Sequence, residues 1–343
     1  MRITLFILAM SMSIISRSQL RDNIQIENLV FKGAGIRGIA YCGALQELKE
    51  LGLTAGLRRV AGTSSGAITA CLLALGYTPQ EIFTLISSTR FQKFNDGGYI
   101  FIGGSFRVIK NFGWYRGHTF PQWLEKLIDA KTRNRNITFH QLYELAQLEN
   151  QFLELTVATT SLNHQQTVFL SNQTYPHMRI ADAVRASMAI PLYFEPVIIN
   201  EDGKKIGRKE MKPTDHILVD GGLTAIFPLQ VFDSISGEEN GAMKTLGLHV
   251  ESAAQTANDF ENGKMASFPI ANVRDYVGAM YTIIKENMYR QTFTETDFSR
   301  SIAISDSGIG PRVKRMSEKQ KEALMESGRT SVRMFFLKMS EPQ

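Results

Sequence analysis

Six short apolar runs, most of them closed directly by glycine or a polar residue, recur along the chain: Asn28–Phe31, Arg59–Ala61, Phe152–Val157, His216–Val219, Thr245–Val250 and Ser301–Ile304. Between many of them apolar residues repeat at helical spacing, as in Tyr41, Leu45, Leu48 and Leu51, or Trp123, Leu124, Leu127 and Ile128. Strands that are apolar on both faces must be covered on both, and a helix between successive strands is what brings them back parallel. The alternation therefore predicts an α/β fold with a mostly parallel central sheet and helices on both sides. Ala67–Leu75 is apolar all round, which places that helix inside the protein. The sequence contains no internal repeat and no low-complexity linker, so one domain is the simplest organisation.

Composition excludes several other classes. With 43% hydrophobic and 21% charged residues the chain is not disordered, and no apolar run reaches the roughly 18–20 residues of a membrane-spanning helix. The net charge of +5 is small and Arg2 and Arg17 supply part of it, so it gives no basic face of the kind nucleic acid requires. Cys42 and Cys71 lie among apolar neighbours and read as buried free thiols. Residues 1–18, with a charged start, a short apolar stretch and Ser16-Arg17-Ser18, read as a signal peptide or N-terminal anchor, hence export or membrane association. The other reading is a loose amphipathic extension on a cytoplasmic protein.

Three motifs carry the chemistry. Gly33-Ala34-Gly35-Ile36-Arg37-Gly38 joins the first strand to the first helix. Glycine there lets backbone N–H groups face an anion at a helix N-terminus, either a pyrophosphate or a developing oxyanion. A dinucleotide site also needs an acid about 20 residues on, and the next strand offers Arg58 and Arg59 instead. Gly62-Thr63-Ser64-Ser65-Gly66, between a short strand and the buried helix, has the form of a nucleophile elbow, and only Ser64 has the required spacing. A serine nucleophile needs a base. Asp220, in Asp220-Gly221-Gly222, ends a strand, where α/β active sites gather. The order Ser64, Asp220, His249 also fits an α/β-hydrolase triad, although His249 lies inside an apolar strand and a single strand precedes the elbow. A second Asp-Gly-Gly, Asp96-Gly97-Gly98, follows no strand and reads as a turn.

Taken in this order, Gly33–Gly38, Gly62–Gly66 and Asp220–Gly222 resemble the three signatures of the patatin-like phospholipase family. Thr138–Leu142 and Ala186–Phe194 extend the similarity over residues 28–233, and residues 234–343 are expected to complete the same domain. The resemblance implies a three-layer α/β/α fold and a Ser–Asp dyad that hydrolyses acyl esters of phospholipids or glycolipids through an acyl-enzyme, without metal or other cofactor. Ser64 would be the nucleophile, Asp220 the general base, and Gly33, Ala34 and Gly35 the oxyanion hole, with Arg37, Gly38, Gly62, Gly66, Gly221 and Gly222 supporting them. Two positions depart from the pattern. Ala34 replaces a glycine, which disfavours a positive φ, and Ile226 replaces an asparagine beside the aspartate loop. The two departures leave room for an inactive lipid-binding scaffold, and the Gly33–Gly38 loop leaves room for a nucleotide-binding protein.

Other segments bear on the substrate. Residues 91–120 hold nine aromatics in 30 positions, either as an acyl-binding or membrane-touching flap hinged at Gly97-Gly98 and Gly103-Gly104, or as a packed subdomain. Lys204, Lys205, Arg208, Lys209 and Lys212 form a basic loop that either attracts anionic headgroups or is simply solvated. Arg37 either steadies the oxyanion loop, meets a phosphate or makes a surface ion pair. Arg312, Lys314, Arg315, Lys319 and Lys321 read as a solvated helix face.

Overall fold

The computed structural model describes residues 24–96, 102–236, 243–252, 255, 267–271, 273–310 and 316–340. Residues 1–18, Gly97-Gly98 and the basic positions 312–315 lie outside the described residues. Ten strands are present among the described residues: β1 (Asn28–Phe31), β2 (Arg59–Thr63), β3 (Gly113–Tyr115), β4 (Glu154–Ser161), β5 (Gln166–Leu170), β6 (Leu192–Phe194), β7 (Val197–Ile199), β8 (His216–Asp220), β9 (Thr245–Glu251) and β10 (Ser301–Ser305). Strands β10, β9, β1, β2 and β4 run side by side and parallel. β5 and β8 add antiparallel to β4, and β7 pairs antiparallel with β8. Helices cover both sides, giving the mostly parallel sheet the alternation predicts, and all six apolar runs lie in it.

The register around β4 positions the site. Thr63, the last residue of β2, pairs with Ala158, and Asp220, the last residue of β8, pairs with Thr159. β5 pairs with Val157–Ser161 of the same strand. A strand has two hydrogen-bonding edges, so β5 takes one and β2 and β8 share the other. Because β2 is parallel and β8 antiparallel to β4, their C-terminal ends meet head to head at Ala158–Thr159.

The core explains the glycines that flank the serine. Helix Ser65–Ala74 packs against β1, β2 and β4 and is buried along nearly its whole length. A Cβ on Gly62 would come within 2.4 Å of the Gly66 carbonyl, and one on Gly66 within 2.3 Å of the Phe31 oxygen. At these two glycines helix and strands therefore touch through main chain. Helix Glu318–Ser340 crosses helix Ile39–Glu50 in the same manner: a Cβ on Gly43 would meet the Met325 oxygen at 1.9 Å, and one on Gly328 the Ala40 oxygen at 2.1 Å. Arg329 and Arg333 pair with the buried Glu47 across that crossing. Strands β9 and β10 and this last helix bring the chain beyond residue 233 into the same sheet and core. Cys42 and Cys71 are buried and free, with thiols pushed up to about 12 by burial.

Among the described residues of the aromatic segment, Phe94 and Phe120 are packed, whereas Phe112 is exposed; Tyr99 and Phe101 lie outside the described residues. Phe94 meets Phe120 edge-to-face at 5.2 Å and lies 5.5 Å from Trp123. β3 pairs with β6 in a separate two-stranded sheet. Gly103-Gly104, expected as a hinge, lies within helix Ile102–Asn111, where the backbone hydrogen bonds oppose hinging. Asp96 accepts from the backbone N–H groups of Gly117, His118 and Thr119, so its carboxylate serves as a cap for helix Thr119–Thr132. Thr138 and Gln141 form a capping box over helix Phe139–Leu148, which gives the Thr138–Leu142 motif a local structural purpose. The basic loop Lys204–Lys212 is exposed, with Arg208 over the Phe112 ring at 4.1 Å. Lys319 is exposed on the last helix, and Lys321 pairs with Glu318. Among the described residues no helix is long and apolar enough to cross a membrane.

Candidate active site

Ser64 sits at the bend between β2 and helix Ser65–Ala74 with φ +54° and ψ −124°, a conformation disfavoured for a side chain other than hydrogen. The bend is held by others. Ser64 N–H donates to Ser187 Oγ at 2.9 Å, and Ser187 Oγ–H donates to the Ala158 carbonyl at 2.7 Å, which pins the elbow to the point of β4 where β8 arrives. Ser64 occupies the N-cap of the ten-residue helix, so the positive end of the helix dipole lies at its hydroxyl.

Asp220 is fully buried. Its Oδ1 accepts from Gly222 N–H at 2.8 Å, and its own N–H donates to the Ala189 carbonyl at 2.9 Å. Oδ2 is buried without a hydrogen-bond partner. Burial raises its pKa above the usual 3.8, opposed by the Ser64 hydroxyl, the Gly222 N–H, the Tyr281 hydroxyl and the Lys285 charge. A basic carboxylate beside a serine hydroxyl is the electrostatic condition for proton abstraction. In this resting geometry Ser64 Oγ contacts Met188 Sδ at 3.8 Å. A Cβ on Gly221 would strike the Ala158 oxygen at 2.5 Å, which is why the chain leaving Asp220 must be glycine.

The glycine loop lies against the elbow: a Cβ on Gly33 would be 3.4 Å from Ser64 Cβ and 2.6 Å from Ile226 Cδ1. Of the three N–H groups expected to form an oxyanion hole, two are already engaged. Gly33 donates to the Ile226 carbonyl at 3.0 Å and Ala34 to Ser65 Oγ at 2.9 Å. Gly35, exposed and at φ +58°, keeps its N–H without a protein acceptor among the described residues. Ala34 itself has φ −127°, so its methyl group costs no backbone strain, and the left-handed position falls on Gly35 instead. Arg37 is buried, donates to the Ala34 carbonyl at 3.3 Å and pairs with Asp306 at 3.3 Å, so it steadies the loop. Gly38 has helical φ and space for a Cβ, its nearest neighbour being Ser65 Oγ at 3.6 Å. Ile226 supports the aspartate loop through its carbonyl and side chain, while Thr63 Oγ1–H donates to the Ala225 carbonyl at 2.7 Å.

His249 does not join Ser64 and Asp220. Its Nδ1 bonds Glu251 at 3.2 Å, and its ring packs on Phe227, Tyr289 and Phe293. The Ser64–Asp220–His249 triad is thereby excluded in favour of a core histidine. Sequence reasoning missed Ser65 as the anchor of the glycine loop, Ser187 as the acceptor behind Ser64, and Tyr281 and Lys285 near Asp220. Ser187 lies in a motif the sequence displays; Tyr281 and Lys285 have no local signature.

Beside Met188, an apolar cavity of ≈20 Å³ is lined by Phe94, Gly117, Phe120, Arg185 and Phe194. Arg185 ties its walls together through the carbonyls of Arg116, Gly117 and Glu195. A larger cavity, ≈140 Å³, includes Arg59 and Glu154, which begin β2 and β4, and so lies at the end of the sheet away from Ser64.

The family model for patatin-like phospholipase matches residues 29–233, more than half of the chain. The chain belongs to this family. Its similarity to relatives extends further than the model. It is 28% identical over 318 residues to an uncharacterised protein of Acanthamoeba polyphaga mimivirus, covering 92% of this chain and 95% of that one. It is 26% identical to "Probable lipid hydrolase 463L" of Invertebrate iridescent virus 6, covering 62% of this chain and 66% of the relative. Among solved structures, VipD from Legionella pneumophila shares the fold with a TM-score of 0.56 at 18% identity, over 92% of this chain and 67% of that one. The patatin-like region thus runs from β1 through β8.

Proposed function

We propose that this patatin-like protein hydrolyses acyl esters of lipids, phospholipids or glycolipids, with Ser64 as nucleophile and Asp220 as general base. The observation that carries the reading is the head-to-head meeting of β2 and β8 on one edge of β4, which sets the Ser64 bend against a buried carboxylate with one free oxygen. Asp220 takes the Ser64 proton as Oγ forms a bond to the ester carbonyl carbon, and the carbonyl π electrons move onto oxygen. That oxyanion lies toward the free N–H of Gly35 and the N-terminus of helix Ser65–Ala74; one such donor is worth about 3 kcal/mol. Collapse expels the alcohol, which takes the proton from Asp220. Water, deprotonated by the same carboxylate, then attacks the acyl-Ser64 carbonyl; as the bond to Oγ breaks, Asp220 returns that proton to Ser64 and the fatty acid leaves. The apolar cavity beside Met188 is the start of an acyl subsite, one that widens for a chain only if its aromatic wall shifts.

Ser64→Ala and Asp220→Asn should each lower fatty-acid release from phospholipid vesicles by about 10⁴-fold, whereas His249→Gln should keep it. Full activity in the Asp220 variant would sink the dyad. Contact with a lipid surface belongs to the same reading. Helix Val273–Thr292 exposes Tyr276, Met280, Ile283 and Ile284 in one apolar stripe while its other side reaches Asp220. Met280→Glu with Ile283→Glu should slow hydrolysis of vesicles about tenfold and spare a soluble short-chain ester.

A further inference from the structure

Helix Val273–Thr292 lies outside the matched family region and packs on the turn Gly221–Leu223 that follows Asp220. Tyr281 and Lys285, one helical turn apart, share its inner side. A Cβ on Gly222 would come within 2.4 Å of the Tyr281 hydroxyl and 3.0 Å of Asp220 Oδ1, so the phenol and the carboxylate crowd the same carbon. The helix is clamped there by charge. Glu286 meets Lys285 at 3.2 Å and Lys32 at 3.5 Å, Lys32 meets Glu251 at 2.6 Å, and the Lys32 ammonium lies over the Tyr289 ring at 3.6 Å.

We propose that Tyr281 is a positioning residue for the base: its hydroxyl, delivered by the clamped helix, donates to the Asp220 carboxylate, fixes its rotamer and holds it ionised with the other oxygen turned to Ser64. This rests on the assignment of Asp220 as base. Oδ1 is already tied to Gly222 N–H and Oδ2 is orphaned, so the carboxylate has capacity for a further donor. The phenol stays protonated, because burial and then the neighbouring Asp220 charge push its pKa well above the usual 10. The groups facing Asp220 are Ser64 from the elbow, Gly222 N–H from its own turn, and Tyr281 and Lys285 from the helix. β4 passes Asp220 at Ala158 and Thr159, which carry no charge. Burial lowers the Lys285 ammonium against the pull of Glu286, and the Lys32 and Arg37 charges add to the lowering.

The sign follows directly. Losing a donor to the charged form raises the carboxyl's pKa, so Tyr281→Phe should move the acid limb of kcat/KM for a soluble ester to higher pH by about one unit. At a pH on that limb the variant should be about tenfold slower, while at alkaline pH it regains the wild-type rate with KM unchanged. The rate at which a fluorophosphonate labels Ser64 should carry the same shift, since it reads the base without turnover. Thermal melting checks that the variant is folded. A profile that superimposes on the wild type, or a loss of equal size at every pH, would overturn the role of Tyr281. Asp220→Asn, run in parallel, separates the two failures. Undiminished labelling in that variant removes the base and Tyr281 with it, whereas lost labelling there with an unmoved profile in Tyr281→Phe overturns Tyr281 alone.

Discussion

Ser64 and Asp220 are held from two sides by different materials. On the sheet side the site is main chain against main chain: Gly62 on Gly66, Gly66 on Phe31 and Gly221 on Ala158, each leaving less than a methyl group's space. On the covering side it is long side chains and charge, with Tyr281 and Lys285 over Asp220 and Lys32, Glu251 and Glu286 clamping the helix that bears them. A wall built of backbone tolerates one residue type at each contact. A wall built of side chains offers several solutions and depends on residues far apart in the chain.

The contrast puts the largest stability loss on the charged side. Lys32→Met should cost about 3–5 kcal/mol in denaturant unfolding, because it leaves buried carboxylates without their partner. Burial by itself would raise the Glu251 carboxyl, yet Lys32 and His249 hold it well below the usual carboxylate range. A carboxyl depressed on folding adds stability above its unfolded value of about 4.5, and that part is lost as pH falls below it. The wild-type stability curve should therefore drop on acidification more steeply than that of Lys32→Met, and parallel curves would remove the clamp from the account. Next, Gly62→Ala and Gly66→Ala should each cost about 1–3 kcal/mol by forcing main chain apart, together with a fall in Ser64 labelling; unchanged melting would break the backbone half of the comparison. Asp220→Asn tests the base from a third direction. A carboxyl raised on folding weakens the native state once pH exceeds its unfolded value of 3.8, so the variant should melt higher than wild type at neutral pH. The advantage should vanish in acid. The smallest effect is expected at Gly38→Ala, within about 0.5 kcal/mol, since a Cβ there meets nothing closer than 3.6 Å.

The same division decides what could be read from the amino acids. The run at Asn28–Phe31 is a fully enclosed strand and that at His216–Val219 is enclosed over its second half, and neither needed tertiary information to recognise. The elbow and the Asp220 turn were legible because their geometry is a spacing of glycines. β5, β6 and β7 were not, being short segments whose pairing is set by β4, β3 and β8 rather than by their own pattern. Motif position alone does not say which residue of a turn takes positive φ; here Ala34 stays at negative φ and Gly35 takes it. The donors of Gly33 and Ala34 were assigned to substrate because only coordinates reveal that Ile226 and Ser65 already accept them. Tyr281 lies 61 residues beyond Asp220, in a helix whose sequence carries no glycine code.

Because β2 and β8 abut along one edge of β4, that strand works as a ruler laid under the reaction. Inserting or deleting one residue between Ala158 and Thr159 would slide the carboxylate about 3.3 Å relative to the hydroxyl while leaving every glycine, the serine and the aspartate intact. Relatives that carry all three motifs but differ in length at this point would keep the letters of an esterase and lose its reach.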